Sequence, residues 1–277
     1  SRFITYTGTV AVVAVYVALG VTVLPEVRLE TVGTPPPQLR QALDFEVTLD
    51  ATYSLPGSPM ALVFRGETDG YITLGQGQII HFTLPEEPNG ELRSRIVTSG
   101  LDAPRGLAIL DDVLYVTDLG PLPCPRIYCK GIDLPGYGYY EGAAKILRES
   151  NGSILAFDVL ADGSLNNKRA IVTGLPTANF AHGANGITVG PDGLLYVSIG
   201  GVEGLYDRPD IVDAIEGPKL DFLGTVIRLK PDGSGLEIFA EGLRNVYALT
   251  FDDHGLLWGV DNDGKTMGGW HREEVLQ

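Results

Sequence analysis

Three stretches of the chain carry side chains whose types and spacing suit catalysis. His182 stands in Ala181-His182-Gly183-Ala184-Asn185-Gly186. An imidazole titrates near neutral pH, so His182 is a candidate general base; a histidine that hydrogen-bonds backbone at a turn is the structural alternative. Arg244-Asn245 follows Gly242-Leu243 and sets a planar cationic fork beside an amide. That pair suits a flat ligand with carboxylates or carbonyls, and an Arg tied to a neighbouring carboxylate is the alternative. Arg105 holds a similar place ahead of another apolar run. Asp261-Asn262-Asp263-Gly264 offers hard oxygens of the kind calcium takes, without the loop spacing of an EF-hand. His81 falls inside a strand pattern and His254 in a turn, so both read as structural or solvated.

Side chains so far apart in sequence meet only if repeated elements bring them together. Glu241–Asp263 reads EGLRNVYALTFDDHGLLWGVDND: an apolar run, an Asp/Gly turn and a second apolar run, which is the pattern of a β-hairpin. The same pattern occurs at Asn185–Gly200, at Arg105–Asp118 with a tighter Asp111-Asp112 turn, and more loosely at Met60–Leu74. Between the hairpins a second unit recurs. A third strand at Gln78–Phe82, Ser153–Phe157 or Thr225–Leu229 is followed by a short run at Arg95–Thr98, Arg169–Thr173 or Leu236–Ala240. That run leads each time into Gly-Leu: Gly100-Leu101, Gly174-Leu175, Gly242-Leu243. Four strands with a fixed order of turns predict an all-β chain of β-propeller blades. About three and a half blades are expected, with insertions at Leu119–Ser150 and Gly201–Phe222. His182 and Arg244-Asn245 then occupy equivalent places in neighbouring blades and are expected to share one face around the axis.

The remaining features bound the setting. The 36 glycines and 18 prolines in 277 residues suit a turn-rich β chain. A net charge of −15 with no basic concentration excludes a phosphate-neutralising nucleic-acid binder. Phe3–Leu24 is an uncharged stretch of about 22 residues, long enough to span a bilayer as a helix. Residues 1–25 are therefore expected to be a transmembrane helix or signal anchor, with a signal peptide as the alternative. Arg2 before it and Glu26 after it place the N-terminus inside and the rest extracytoplasmic, periplasmic or extracellular. Glu26–Leu43, with Thr34-Pro35-Pro36-Pro37, reads as a stiff linker (26–43), and the propeller is expected over 44–277. Cys124 and Cys129, outside the membrane, suggest a local disulfide. Asn151-Gly152-Ser153 is either a glycosylation sequon or a plain turn. The acidic stretch Val202–Leu220 reads as a solvated loop.

Taken together, His182–Gly200 (H-x-x-N-G-I-x-V-G-P-D-G-L-L-Y-V-S-I-G), Gly242–Asp252 (G-L-R-N-x-x-x-L-x-F-D) and the later L-W-x-x-D-N-D with Glu273-Glu274-Val275 resemble the glucose/sorbosone dehydrogenase family, six-bladed propellers of the soluble pyrroloquinoline-quinone type. The resemblance covers roughly residues 95–277. It implies that His182 takes the substrate hydroxyl proton, that Arg244 and Asn245 bind the quinone, with Arg105 as a further candidate, and that Asp263 and Gly264 offer oxygens to calcium. The implied reaction is oxidation of an aldose or related sugar alcohol with hydride transfer to the quinone. Val246 stands where the family commonly has Pro, and Asp263-Gly264 where it has Gly-Pro. Set against six blades, the strand count implies an N-terminal part of a longer ring. Two other functions fit the same outline: a non-catalytic extracellular propeller binding carbohydrate or protein, and a metal-dependent sugar lactonase. Substrate, electron acceptor and oligomeric state have no signal in the sequence.

Overall fold

The computed structural model describes residues 55–86, 91–121, 145–177, 182–201 and 220–261. The expected transmembrane helix, linker, cysteine pair, acidic insertion, Asp263 and Gly264 lie outside them. No helix among the described residues is long and apolar enough to cross a membrane. A helical turn at 145–149 is described; the other elements are strands.

Fourteen strands among the described residues form three four-stranded antiparallel sheets and one hairpin. The first sheet is β1 (Pro59–Phe64), β2 (Asp69–Leu74), β3 (Gln78–Thr83) and β4 (Arg93–Thr98). The second is β5 (Pro104–Leu110), β6 (Val113–Asp118), β7 (Gly152–Val159) and β8 (Leu165–Leu175). The third is β9 (Ala184–Val189), β10 (Leu195–Ile199), β11 (Thr225–Leu229) and β12 (Glu237–Glu241). The hairpin is β13 (Val246–Phe251) with β14 (Leu257–Asp261). Each sheet is a meander in chain order, and the first strands lie side by side, β1 on β5, β5 on β9, β9 on β13. This arrangement is consistent with successive propeller blades.

Burial explains why the sequence reads as it does. One apolar cluster fills the gap between the second and third sheets, including Tyr115, Ile154, Ile187, Leu195 and Ile227. Another fills the gap between the first and second, including Tyr71, Ile79, Leu114 and Phe157. A smaller one, with Tyr196, Val226 and Leu257, joins the third sheet to the hairpin. A strand in the middle of a stacked sheet is covered on both faces, so β6 and β10 are apolar almost throughout rather than alternating. The last strands, β4 and β12, are largely exposed and carry the charges. The Gly of each Gly-Leu step has the same backbone state: φ is 79° at Gly100, 81° at Gly174 and 84° at Gly242. Only glycine enters that region without a Cβ penalty, which is why the turn repeats its residue as well as its shape.

The first strands share an irregularity that the apolar pattern conceals. Pro59 pairs with Leu74 but Ala61 with Thr73, so Met60 is an extra residue. Between the pairs Pro104–Asp118 and Leu107–Val116, two residues face one, and the Gly106 N–H bonding Thr117 Oγ1 at 2.7 Å leaves Arg105 as the extra one. The same shift in β9, with the Gly186 N–H bonding Ser198 Oγ at 2.9 Å, singles out Asn185. In β13, Val246 pairs with Asp261 and Ala248 with Val260, leaving Tyr247. Met60, Arg105, Asn185 and Tyr247 are thus equivalent one-residue bulges, a device that re-aims a side chain.

Hydroxyls stitch the bulges to their neighbours. Thr73 Oγ1 accepts the Ala61 N–H at 3.0 Å and donates to Arg105 O of the next sheet at 3.4 Å. Thr117 Oγ1 accepts the Gly106 N–H and donates to Asn185 O at 2.6 Å. The sheets approach so closely here that a Cβ on Gly106 would lie 2.4 Å from Asn185 O, and one on Gly186 2.9 Å from Tyr247 O.

Candidate functional site

His182 and Arg244 both converge on Gly201. The Gly201 N–H donates to Arg244 O at 2.7 Å, and Gly201 O accepts from His182 Nδ1 at 2.5 Å. A carbonyl only accepts, so Nδ1 carries the proton and the neutral imidazole presents Nε2 as its basic nitrogen. Burial holds the His182 pKa below its ordinary value, against the pull of the Gly201 carbonyl; the Arg244 charge lowers it further and the Asp261 carboxylate raises it. The side chain is therefore neutral at pH 7, as a base must be.

The backbone of Arg244-Asn245 is clamped by one carboxylate. Asp261 accepts the Arg244 N–H at 2.9 Å on one oxygen and the Asn245 N–H at 2.7 Å on the other. Asp118 does the same for Asp102 at 3.0 Å and Ala103 at 2.7 Å. Asp102-Ala103 is therefore the counterpart of Arg244-Asn245, a register the residue types conceal. Asp261, read from sequence as part of a cation-binding run, commits both oxygens to these amides. Asn245 is buried, and its Oδ1 accepts from Asn185 Nδ2 at 2.7 Å. Its side chain thus joins the third sheet to the hairpin, and Arg244 is the more exposed member of the pair. Gly200 is required beside them: a Cβ there would lie 2.4 Å from Asn245 Oδ1 and 2.8 Å from His182 Cα.

Arg105 is not the counterpart of Arg244. It is the bulge residue of β5, 6% exposed, and its Nη1 reaches Tyr247 Oη at 3.5 Å and Met60 Sδ at 3.9 Å. Arg105 thus contacts its equivalents from the first sheet and from the hairpin. Sequence reading missed Gly201, Asn185, Tyr247 and Met60. The last three are bulge residues, which the apolar pattern does not mark. His81 is structural as expected, buried with Nε2 3.2 Å from Asp69 Oδ2. Among the described residues no three His, Cys, Asp or Glu converge to hold a metal.

The fold and site define an all-β protein of four-stranded antiparallel blades with a neutral imidazole and an arginine held on one glycine. A family model described as a domain of unknown function (DUF7133) matches residues 140–277. No curated protein matches the sequence. The chain is similar to the holo form of the pyranose dehydrogenase PQQ domain from Coprinopsis cinerea, with 13% identity over 74% of this chain and 44% of that one and a TM-score of 0.51. It is similar to a carbohydrate-active enzyme of family AA12 from Trichoderma reesei, with 14% identity, 76% and 47% coverage and a TM-score of 0.51. A third similar structure, with 21% identity, 73% and 56% coverage and a TM-score of 0.47, is a putative oxidoreductase (glucose dehydrogenase) from Thermus thermophilus. At these identities the likeness is one of fold. The chain spans about half the length of these structures.

Proposed function

We propose that this chain is part of a quinone-dependent sugar dehydrogenase, oxidising an aldose or related sugar alcohol with His182 as the base. The observation that carries the reading is the His182–Gly201 bond, which fixes the tautomer and leaves Nε2 to accept a proton. Burial keeps the imidazole neutral, and the Arg244 charge lowers its pKa further, so the base feels a cation as the hydroxyl proton leaves.

The donor set fits an anionic planar cofactor. Arg105 on β5 and Arg244 just ahead of β13 are two guanidiniums, each suited to a carboxylate or a quinone oxygen. These two residues would hold pyrroloquinoline quinone, which when bound supplies a two-electron acceptor for hydride. Asn245 would act by fixing the backbone of Arg244. Calcium is proposed at Asp263 and Gly264. The chain's own part of the reaction is to receive the hydroxyl proton at His182 Nε2 while Gly201 O holds the other ring nitrogen. The names of two similar structures, a pyranose dehydrogenase PQQ domain and a carbohydrate-active enzyme, support this class of substrate. We further propose that 44–277 is about half of a six-bladed ring, held extracytoplasmically by an N-terminal anchor over 1–25.

The full-length protein containing this chain, reconstituted with the quinone and calcium, should reduce a redox dye when aldoses are added, and His182→Asn should lower the rate about 10²- to 10⁴-fold. Folded, quinone-loaded protein that reduces no dye with any aldose would sink the proposal. Hydrolysis of sugar lactones with calcium alone would favour the lactonase instead.

A further inference from the structure

We propose that residues 45–54 form an amphipathic strand that lies on the outer face of the first sheet, the face turned away from the second, and seals it. The inference is independent of the chemistry at His182. It starts from the two sides of that sheet. Tyr71 and Ile79 belong to the apolar cluster shared with the second sheet. Ile72, Leu74, Ile80 and Phe82 lie at odd offsets from them along the same strands, so they point the opposite way, and they form a separate cluster. The described residues that pack against that cluster, such as Leu62 and Phe64 of β1, all come from the first sheet or its flanks. The face is nevertheless closed: those four side chains are 0–3% exposed. The hairpin shows what an uncovered face looks like. Trp258 and Val260, alternating on β14 with the buried Leu257, are 39% and 40% exposed.

A cover for such a face needs one apolar side and one polar side. The chain ahead of β1 has that pattern without a break. From Phe45 to Leu55 the odd positions are Phe, Val, Leu, Ala, Tyr and Leu, and the even positions are Glu, Thr, Asp, Thr and Ser. A period of two puts every apolar side chain of a strand on one side. Leu55 fixes which side, because it packs in the outer cluster. Positions 45, 47, 49, 51 and 53 share its register, so the same side of the strand is turned toward Ile72, Leu74, Ile80 and Phe82. The reach suffices. Ten steps of about 3.3 Å span ~33 Å, more than the ~20 Å of a six-residue strand. The polar side, with Glu46 and Asp50, then faces away from the sheet.

Paired substitutions on the two sides of the strand test this in the full-length protein containing this chain. Val47→Asp and Thr48→Asp add the same charge one residue apart. Leu49→Ala and Thr48→Ala are a milder pair that decides the question if the charge prevents folding. Hydrogen exchange of β2 and β3 is followed by mass spectrometry, together with urea midpoints and the molar mass in solution over a range of concentrations. Val47→Asp should speed exchange in both strands about tenfold or more, since a carboxylate cannot stay against an apolar face. Leu49→Ala should raise the unfolding equilibrium constant about tenfold or more. Both Thr48 variants should stay within about threefold of wild type. Equal effects at positions 47 and 48, or no effect at 47 and 49, would overturn the proposal, because another part of the protein would then cover the face. Protection of β2 and β3 that falls as the protein is diluted to monomer would also overturn it, because the cover would then be a second copy of the chain.

Discussion

His182 and Arg244, on neighbouring sheets and 62 positions apart in number, are fastened to the two ends of a single residue: Gly201 gives its N–H to Arg244 O and its carbonyl to His182 Nδ1. Neither residue could shift along the chain without breaking a bond to the same glycine. The imidazole and the backbone of Arg244 are thus both referred to one backbone unit, the least adaptable part of the chain.

The tautomer and the lowered pKa of His182 predict the acid limb of activity. The base is neutral above its folded pKa, which lies below 6.5, so kcat/KM should hold through pH 6.5 and fall only in more acidic buffer. The linkage sign is the same for stability. The unfolded histidine takes its proton at the higher pH, so stability is fully present above 6.5 and is lost as pH falls from there through the folded pKa. His182→Asn should flatten that part of a melting-temperature profile and lower kcat by about 10²- to 10⁴-fold.

Arg244 and Asp261 pull this pKa in opposite directions. Arg244→Met should raise it and Asp261→Asn should lower it, read from the imidazole C–H resonances in an NMR titration. Asp261→Asn also weakens the clamp on two backbone amides and should cost about 2–3 kcal/mol of stability, as charge-assisted bonds do. A shift of the same sign in both variants would mean that local rearrangement, not charge, controls the site.

Thr117 is expected to matter more than a buried threonine usually does. Thr117→Val keeps the shape and leaves the Gly106 N–H and Asn185 O without their partner, at about 1–3 kcal/mol for each buried group stranded. Among the described residues the equivalent Ser198 bonds within its own sheet, to Gly186 N–H and, at 3.4 Å, to Gly186 O. Ser198→Ala should therefore be milder. Urea midpoints of the two variants give the comparison.

Gly106→Ala tests the approach of the second and third sheets. Its Cβ would sit 2.4 Å from Asn185 O and 2.9 Å from Ile187 N, both backbone atoms that no rotamer change can move. A loss of about 1–3 kcal/mol or more is expected, with the Asn185–Asn245 bond disturbed because Asn185 must give way. Unchanged thermal stability would show that the two sheets separate easily at this point.

The chain by itself determined the blades. Two apolar runs around an Asp/Gly turn, then two more strands and Gly-Leu, repeat because each middle strand is covered on both faces and each blade ends on a glycine with positive φ; both constraints write directly into residue type. The paired location of His182 and Arg244 followed from the same repeat. Tertiary structure alone decided the rest. A one-residue bulge leaves no mark on apolar periodicity, so Arg105 read as holding a place like that of Arg244, although its equivalent is Tyr247. Asp261 read as part of a run of hard oxygens of the kind calcium takes, because an aspartate's type does not reveal whether its oxygens will meet a metal or two amides. Gly201 had no signal at all, since its role is played by its backbone, which every residue shares; only the packing of one sheet on the next could assign it.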